Sequence, residues 1–349
     1  MSSPTYIDAV AQVAAHWADP DHPPRTDAAE TIAAASDRLT EPALAFALNQ
    51  FMDALEADRL SAWLDGAGAA SGAVGVVVDD PVPTETLRVA LAAWGSGYRV
   101  FGRRDAPGMM LAHAVAAELE EHGVSPSLQT GDDDQLYAET DAVVALPNPE
   151  TLDAVQARRD APETPADWLL IPPTHSVAVI DGEETEADRE ALAEDILLYE
   201  GQHRRSVAIV WAPQDLNPDP YLEAMAQFRG IVPAHASTPG ALEMPKAFLE
   251  AQDAPHAYAD GLQFLLSRDD PEPQPGAHIR WTEYESVDAV SAWTRDQEAR
   301  IHALVARDGL HGTFDPPVRW APPGTVHRPE VPDDDDQAVA AFLQALGPS

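Results

Sequence analysis

TEADREALAEDILLYEGQHRRSVAIVWAP, residues 185–213, is the stretch whose reading decides the fold. Thr185 followed three residues later by Asp188 is a capping box, and Leu192, Ile196 and Tyr199 then recur at helical spacing on one face. The helix is expected to close at Gly201, since a glycine just past a helix end accepts the left-handed backbone needed there. Ser206 to Trp211, SVAIVW, is a short β-branched apolar run suited to a buried strand. Gln202 to Arg205 therefore lie in a tight helix-to-strand connection.

Outward from this stretch, the chain alternates strand and helix. AVGVVVDD at 73–80 reads as a strand, Thr84 caps a helix carrying Leu87, Leu91 and Trp94, and YRVFG is a second strand. APGMMLAHAVAAELEEHGV adds a helix, 141–146 another strand, NPETLDAVQARR a helix opened by Asn148, and ADWLLIPP at 166–173 one more strand. This alternation predicts a doubly wound α/β domain. Ahead of it, Ile7, Val10, Val13 and Trp17 share one stripe, as do Leu44, Leu48, Phe51, Leu55, Leu60 and Trp63, so residues 1–65 read as a helical layer interrupted by the proline-rich loop ADPDHPP. GAGAASG at 66–72 reads as a linker. Beyond 213, helices are expected at 220–228, within PGALEMPKAFLEAQDAPHAYADGLQFLL and over VDAVSAWTRDQEARIHALVARDG, with a strand near 278–284. A final helix follows Asp333 to Asp336, whose charges suit a helix amino terminus.

The segment AEDILLYEGQHRRSVAIVWAP (193–213) resembles the acyl-CoA reductases of bacterial bioluminescence, a branch of the aldehyde dehydrogenase superfamily. There helix, Gln-rich turn and strand surround a catalytic cysteine that takes an acyl group from a thioester before hydride reduces it. The matching position here is Arg204, and the chain has no cysteine. RWAPPGTVHRPEVPDDDD (319–336) resembles the closing segment of the same family. The resemblance implies two doubly wound α/β domains with an amino-terminal helical layer: residues 1–175 with a nucleotide-binding-like domain, 176–320 with a second, catalytic-type domain, and 321–349 as a tail returning to the first. It also implies NADP or NAD as cofactor, an acyl or nucleotide ligand, and either a homo-oligomer or a partnership with an acyl-transfer enzyme.

Several matched positions depart from the family pattern. DPVP (80–83) stands where relatives carry an asparagine whose amide holds the oxyanion, and the match, Pro81, has no donor. VFGRRD (100–105) matches a segment that contacts the adenosine ribose, with Arg103 in the lysine position and Arg104 beside it. ALPNPET (145–151) replaces a Gly-Ser turn that meets the pyrophosphate, so Asn148 and Thr151 are the candidates at that helix start. The nucleophile and the oxyanion amide are both replaced, so thioester reduction is expected to be lost. An oxidoreductase working without cysteine, with His203 or His175 as acid or base, is the second reading. A structural or regulatory subunit is the third.

The charge balance narrows the setting. Against 59 acidic residues stand 21 basic ones, a net charge of −38, and Lys246 is the only lysine. Such a chain repels nucleic acid and anionic lipid. The carboxylates spread along the whole length, which points to solvation in a high-salt cytoplasm, where the Debye length falls to about 3 Å at 1 M. The arginine pairs Arg103–Arg104, Arg158–Arg159 and Arg204–Arg205 are candidate anion clamps, their bland counterpart being arginines that neutralise nearby carboxylates. His203, Arg204 and Arg205 also suit the negative end of the preceding helix. Lack of cysteine excludes disulfides and thiolate chemistry, and no His-x-x-x-His with a third ligand suggests a metal enzyme. No leader peptide or run of about 18 apolar residues is seen, so a cytoplasmic protein is expected.

Overall fold

The computed structural model describes residues 3–64, 71–162, 164, 165, 167–310 and 318–347. Most of the linker read at 66–72 falls outside them. The chain forms two compact units, one from residues 1–36, 44–173 and 328–349, the other from 37–43 and 174–327.

The first unit begins with four helices, α1 Ser3–Trp17, α2 Pro23–Ala35, α3 Glu41–Ala54 and α4 Ala57–Leu64. Prolines 23 and 24 do not prolong the loop as read from the sequence: they form the first turn of α2, where a missing N–H costs nothing. The stripe from Leu44 to Trp63 is broken between α3 and α4, and its residues are buried all the same. Then come β1 Ala73–Val78, α5 Pro83–Gly95, β2 Arg99–Arg103, α6 Pro107–Glu121, β3 Leu128–Gly131, α7 Asp133–Glu139, β4 Ala142–Leu146, α8 Leu152–Arg159 and β5 Asp167–Leu170. Thr84 does not cap α5. Val82 holds that position and Pro83 is the first helical residue, which leaves Thr84 buried in the first turn. The five strands are parallel, in the order β3-β2-β1-β4-β5. β1 and β4 are central and nearly all their side chains are buried, which explains their unbroken valine and alanine runs.

The second unit holds β6 His175–Val179, α9 Glu186–Leu197, β7 Val207–Pro213, α10 Asp219–Ile231, α11 Thr238–Ala251, β8 His256–Tyr258, β9 Leu265–Arg268, β10 His278–Tyr284, α12 Val287–Asp296, β11 Ile301–Val305 and β12 Arg319–Ala321. Their sheet runs β12-β11-β6-β7-β10-β9-β8, parallel except for the β8–β9 pair. Leu192, Ile196, Ile209, Leu265 and Trp281 are among its buried core. Each fully buried aliphatic or aromatic side chain of this kind contributes about 1.5–3 kcal/mol relative to exposure. The last helix, α13 Asp334–Leu346, belongs to the first unit.

Two expected helices end early. The run expected as one helix over 287–309 breaks after Asp296, and Ile301–Val305 becomes a strand between β6 and β12. Ile301, Leu304 and Val305 imitate helical spacing because a parallel strand buried on both faces is apolar at nearly every position. The run after Pro239 likewise stops at Ala251, since Asp253, Gly261 and Leu262 all adopt positive φ and fold 256–268 into a hairpin. No helix among the described residues is long and apolar enough to cross a membrane.

Candidate ligand and catalytic-type sites

The capping box of α9 forms as its spacing predicts: the Thr185 hydroxyl accepts from the Asp188 amide and the Asp188 carboxylate accepts from the Thr185 amide at 2.9 Å. The helix closes earlier than Gly201. After Leu198 the chain turns through Glu200 at φ 55° and Gly201 at φ 64°, and a Cβ on Gly201 would stand 2.6 Å from the Gly276 carbonyl. Glu200 can hold this costly backbone because it is a buried hub. Its carboxylate accepts from both Arg229 terminal nitrogens at 3.0 Å, from the Thr238 hydroxyl at 2.6 Å and from the His235 amide at 3.2 Å.

His203, Arg204, Arg205 and Ser206 follow, and all are buried, Arg204 only 8% exposed and Arg205 2%. Neither arginine is a free surface cation. The Arg204 carbonyl accepts from the Thr174 hydroxyl at 3.1 Å, and the Ser176 amide donates to the Ser206 carbonyl at 2.8 Å, so the turn is laced to the start of β6 beside His175. His175 sits at the amino edge of the sheet, its pKa lowered to about 4 by burial and then by the Arg300 charge.

The two sequence segments that carry the resemblance meet here. The Gly324 amide donates to the buried Asp195 carboxylate at 2.6 Å, and the His327 Nε2 lies 3.1 Å from the Asp195 carbonyl. The His327 ring packs edge-on against Tyr199 at 4.8 Å between centroids and lies 5.5 Å from His203, which meets Tyr199 at 5.2 Å. Tyr199, Asp195 and His327 were not recognisable as site residues in the sequence, because their association depends on chain segments more than a hundred residues apart.

In the first unit, the polar residues at the carboxyl edge of the sheet gather on Asp79, just beyond β1. Arg103 donates from Nη1 to its Oδ1 at 2.6 Å and from Nε to Asp133 at 2.7 Å. Burial works against the guanidinium charge, but the Asp133 hydrogen bond and the Asp79 and Asp133 charges outweigh it and raise its pKa. The Thr151 hydroxyl donates to the other Asp79 oxygen at 2.6 Å, and Asn148 Nδ2 reaches the Asp79 carbonyl at 3.4 Å. Asn148 does not open α8 as read from the sequence. Thr151 is the capping position, and the Asn148 Oδ1 accepts instead from the Glu150 and Thr151 amides, both at 2.9 Å. Arg103, Asn148 and Thr151 thus come together, whereas Arg104 is exposed at the rim. Of the second arginine pair, Arg158 pairs with Asp134 and stacks over Tyr137, and Arg159 pairs with Asp160. These are neutralised surface cations.

Neither a scan of protein-family profiles nor a search of curated proteins returns a match. In structure the chain is similar to an NAD-dependent benzaldehyde dehydrogenase of Corynebacterium glutamicum, with a TM-score of 0.70 at 12% identity over 98% of this chain and 84% of that one. It is also similar to an aldehyde dehydrogenase of Mycobacterium tuberculosis solved with NAD+, at TM-score 0.63 and 16% identity over 91% and 77% of the two chains. An acetylating aldehyde dehydrogenase of Geobacillus thermoglucosidasius matches at TM-score 0.61 and 11% identity over 92% and 81%. The fold is that of the aldehyde dehydrogenases.

An aldehyde dehydrogenase fold raises the question of whether this chain's residues suit a dinucleotide. Open parallel sheets receive such ligands at their carboxyl edge, near the point where strand order reverses, here between β1 and β4. That point is occupied by this chain's own carboxylate. Arg103 is bound to Asp79 and Asp133, and Asn148 covers the Glu150 and Thr151 amides in the turn that leads into α8. A pyrophosphate is poorly served by this arrangement, since its charges would meet Asp79 while Arg103 is already engaged.

Proposed function

We propose that this chain is an aldehyde dehydrogenase-fold protein, divergent from the acyl-CoA reductases, in which thioester reduction is lost and a binding role for a nucleotide or acyl-CoA-type ligand is kept. The observation that carries this reading is Arg204. It stands at the position matched to the nucleophile, in a chain without cysteine, and a guanidinium has no lone pair with which to attack an acyl carbon. Pro81, matched to the oxyanion amide, removes the second element of the same chemistry. With Arg103 held by Asp79 and Asp133, NADP or NAD is expected to bind weakly, the Asp79 carboxylate opposing its phosphates. The acidic composition supports a high-salt cytoplasm as its setting.

Calorimetric titration of NAD, NADP and coenzyme A thioesters in molar KCl tests the binding role. Weak binding of a nucleotide or thioester is the expected result, and absence of both would favour a structural or regulatory subunit. A second reading, acid or base catalysis without a covalent step, draws on the contact of His203 with Tyr199 and His327 beside Arg204. It requires turnover that disappears in His203→Ala.

A further inference from the structure

Away from these sites, in the helical layer of the first unit, a second group of titratable side chains converges. His16 lies in the last turn of α1, Glu118 in the last turn of α6, and His122 caps the end of α6, four residues on and therefore on the same helix face. Their ligand atoms all lie within 4.8 Å of one another. His16 Nδ1 approaches Glu118 Oε1 at 2.8 Å, and the His16 and His122 rings are 5.4 Å apart between centroids. We propose that His16, Glu118 and His122 form a site for a divalent transition metal ion of the zinc class, tying α1 to α6.

The donor set decides the class of ion. Two imidazoles and one carboxylate suit zinc, cobalt or nickel, whereas calcium and magnesium require oxygen ligands nearly throughout. Bond lengths of about 2.0–2.1 Å place the ligands of a tetrahedral site about 3.3 Å apart. The His16–Glu118 pair is already closer than that, and all three ligand atoms lie within 4.8 Å, so a modest approach of His122 is required of the site. The carboxylate is oriented in advance: its other oxygen, Oε2, accepts from Trp17 Nε1 at 2.5 Å and lies 2.9 Å from His22 Nε2. Such outer contacts orient a metal-binding carboxylate. The His16 side chain is 51% exposed and Glu118 5%, so one side of the group is open to water, which would complete the coordination. Coordination through His16 Nδ1 uses the neutral imidazole tautomer that carries its proton on Nε2. The surrounding charge of −38 favours cation uptake.

Metal titration distinguishes this site from a plain hydrogen-bonded cluster. Untagged, chelator-treated protein in molar KCl is titrated with ZnCl2 by calorimetry and with CoCl2 by visible absorption, alongside His16→Ala, His122→Ala and the control His113→Ala, an exposed histidine of α6 outside the group. One zinc per chain, a tetrahedral-type cobalt band, and loss of at least about tenfold in zinc affinity in both cluster variants but not in the control are expected. Absence of the cobalt band in the wild-type protein, or equal zinc binding by all four proteins, overturns the proposal. Wild-type titration decides the first point even should a variant fail to fold.

Discussion

Thr151 donates its hydroxyl to Oδ2 of Asp79 at 2.6 Å, while Arg103 donates to Oδ1 of the same carboxylate at the same distance. A single aspartate thereby holds, from inside, the donors that a parallel sheet of this topology offers to an anionic ligand at its carboxyl edge.

Replacing that carboxylate should expose those donors. Asp79→Asn removes the charge facing an incoming phosphate and leaves Arg103 with Asp133 alone. Affinity for NADP or a coenzyme A thioester is expected to rise about tenfold, equivalent to about 1.4 kcal/mol. Calorimetry on the variant and the parent at one salt concentration reads this directly, and unchanged or weaker binding would remove Asp79 as the blocking group.

Glu200 makes a separate prediction about stability. Glu200→Gln leaves the Arg229 guanidinium, 4% exposed, without its bidentate counter-ion. Breaking a buried pair in this way costs about 3–5 kcal/mol. Urea unfolding in KCl should show a loss of this size, and a change below about 1 kcal/mol would mean that Arg229 finds another partner.

Acid should weaken the fold through two histidines of the second unit. Burial, then a neighbouring arginine, lowers the pKa of His175 and of His278 to about 4, and His278 Nε2 is held 2.8 Å from the Ser267 hydroxyl. Below the ordinary value of about 6.5 the unfolded chain takes up protons that the folded chain refuses, so stability falls with pH from about 6.5 down to about 4. Each histidine contributes up to about 3 kcal/mol to this loss. Denaturant midpoints measured across that range should decline, and His278→Gln should flatten the slope.

Salt should act in the opposite sense. With a net charge of −38, mutual repulsion is strong at low ionic strength and screened within about 3 Å at 1 M. The thermal midpoint is expected to climb between 0.1 M and 2 M KCl, a range chosen to span that screening. A midpoint that stays flat would separate the acidic surface from salt adaptation.

What the sequence discloses depends on how local the cause is. The capping box at Thr185/Asp188 is visible because both partners lie within one turn, and it forms, whereas the Asp run read as preceding the last helix supplies its cap, Asp333, and its first turn, Asp334 to Asp336. β1 and β4 are visible because burial on both faces writes itself as continuous valine and alanine. The same property hides β11, whose Ile301, Leu304 and Val305 fall at helical spacing. β3 is hidden for another reason: LQTG is short, half-buried and carries little apolar signal. In the first unit, Arg103, Asn148 and Thr151 can be picked out individually, but their common partner cannot, because Asp79 followed by Asp80 reads as ordinary surface charge. His16 is about a hundred residues from Glu118, and only the packing of α1 on α6 reveals that they touch.

The central claim, an aldehyde dehydrogenase fold without thioester reduction, is tested most directly by following NADPH absorbance with a coenzyme A thioester in molar KCl. Oxidation no faster than in the protein-free mixture is the predicted result. Sustained, protein-dependent oxidation with release of coenzyme A would contradict it, because a hydride acceptor would then be forming where Arg204 stands in place of sulfur.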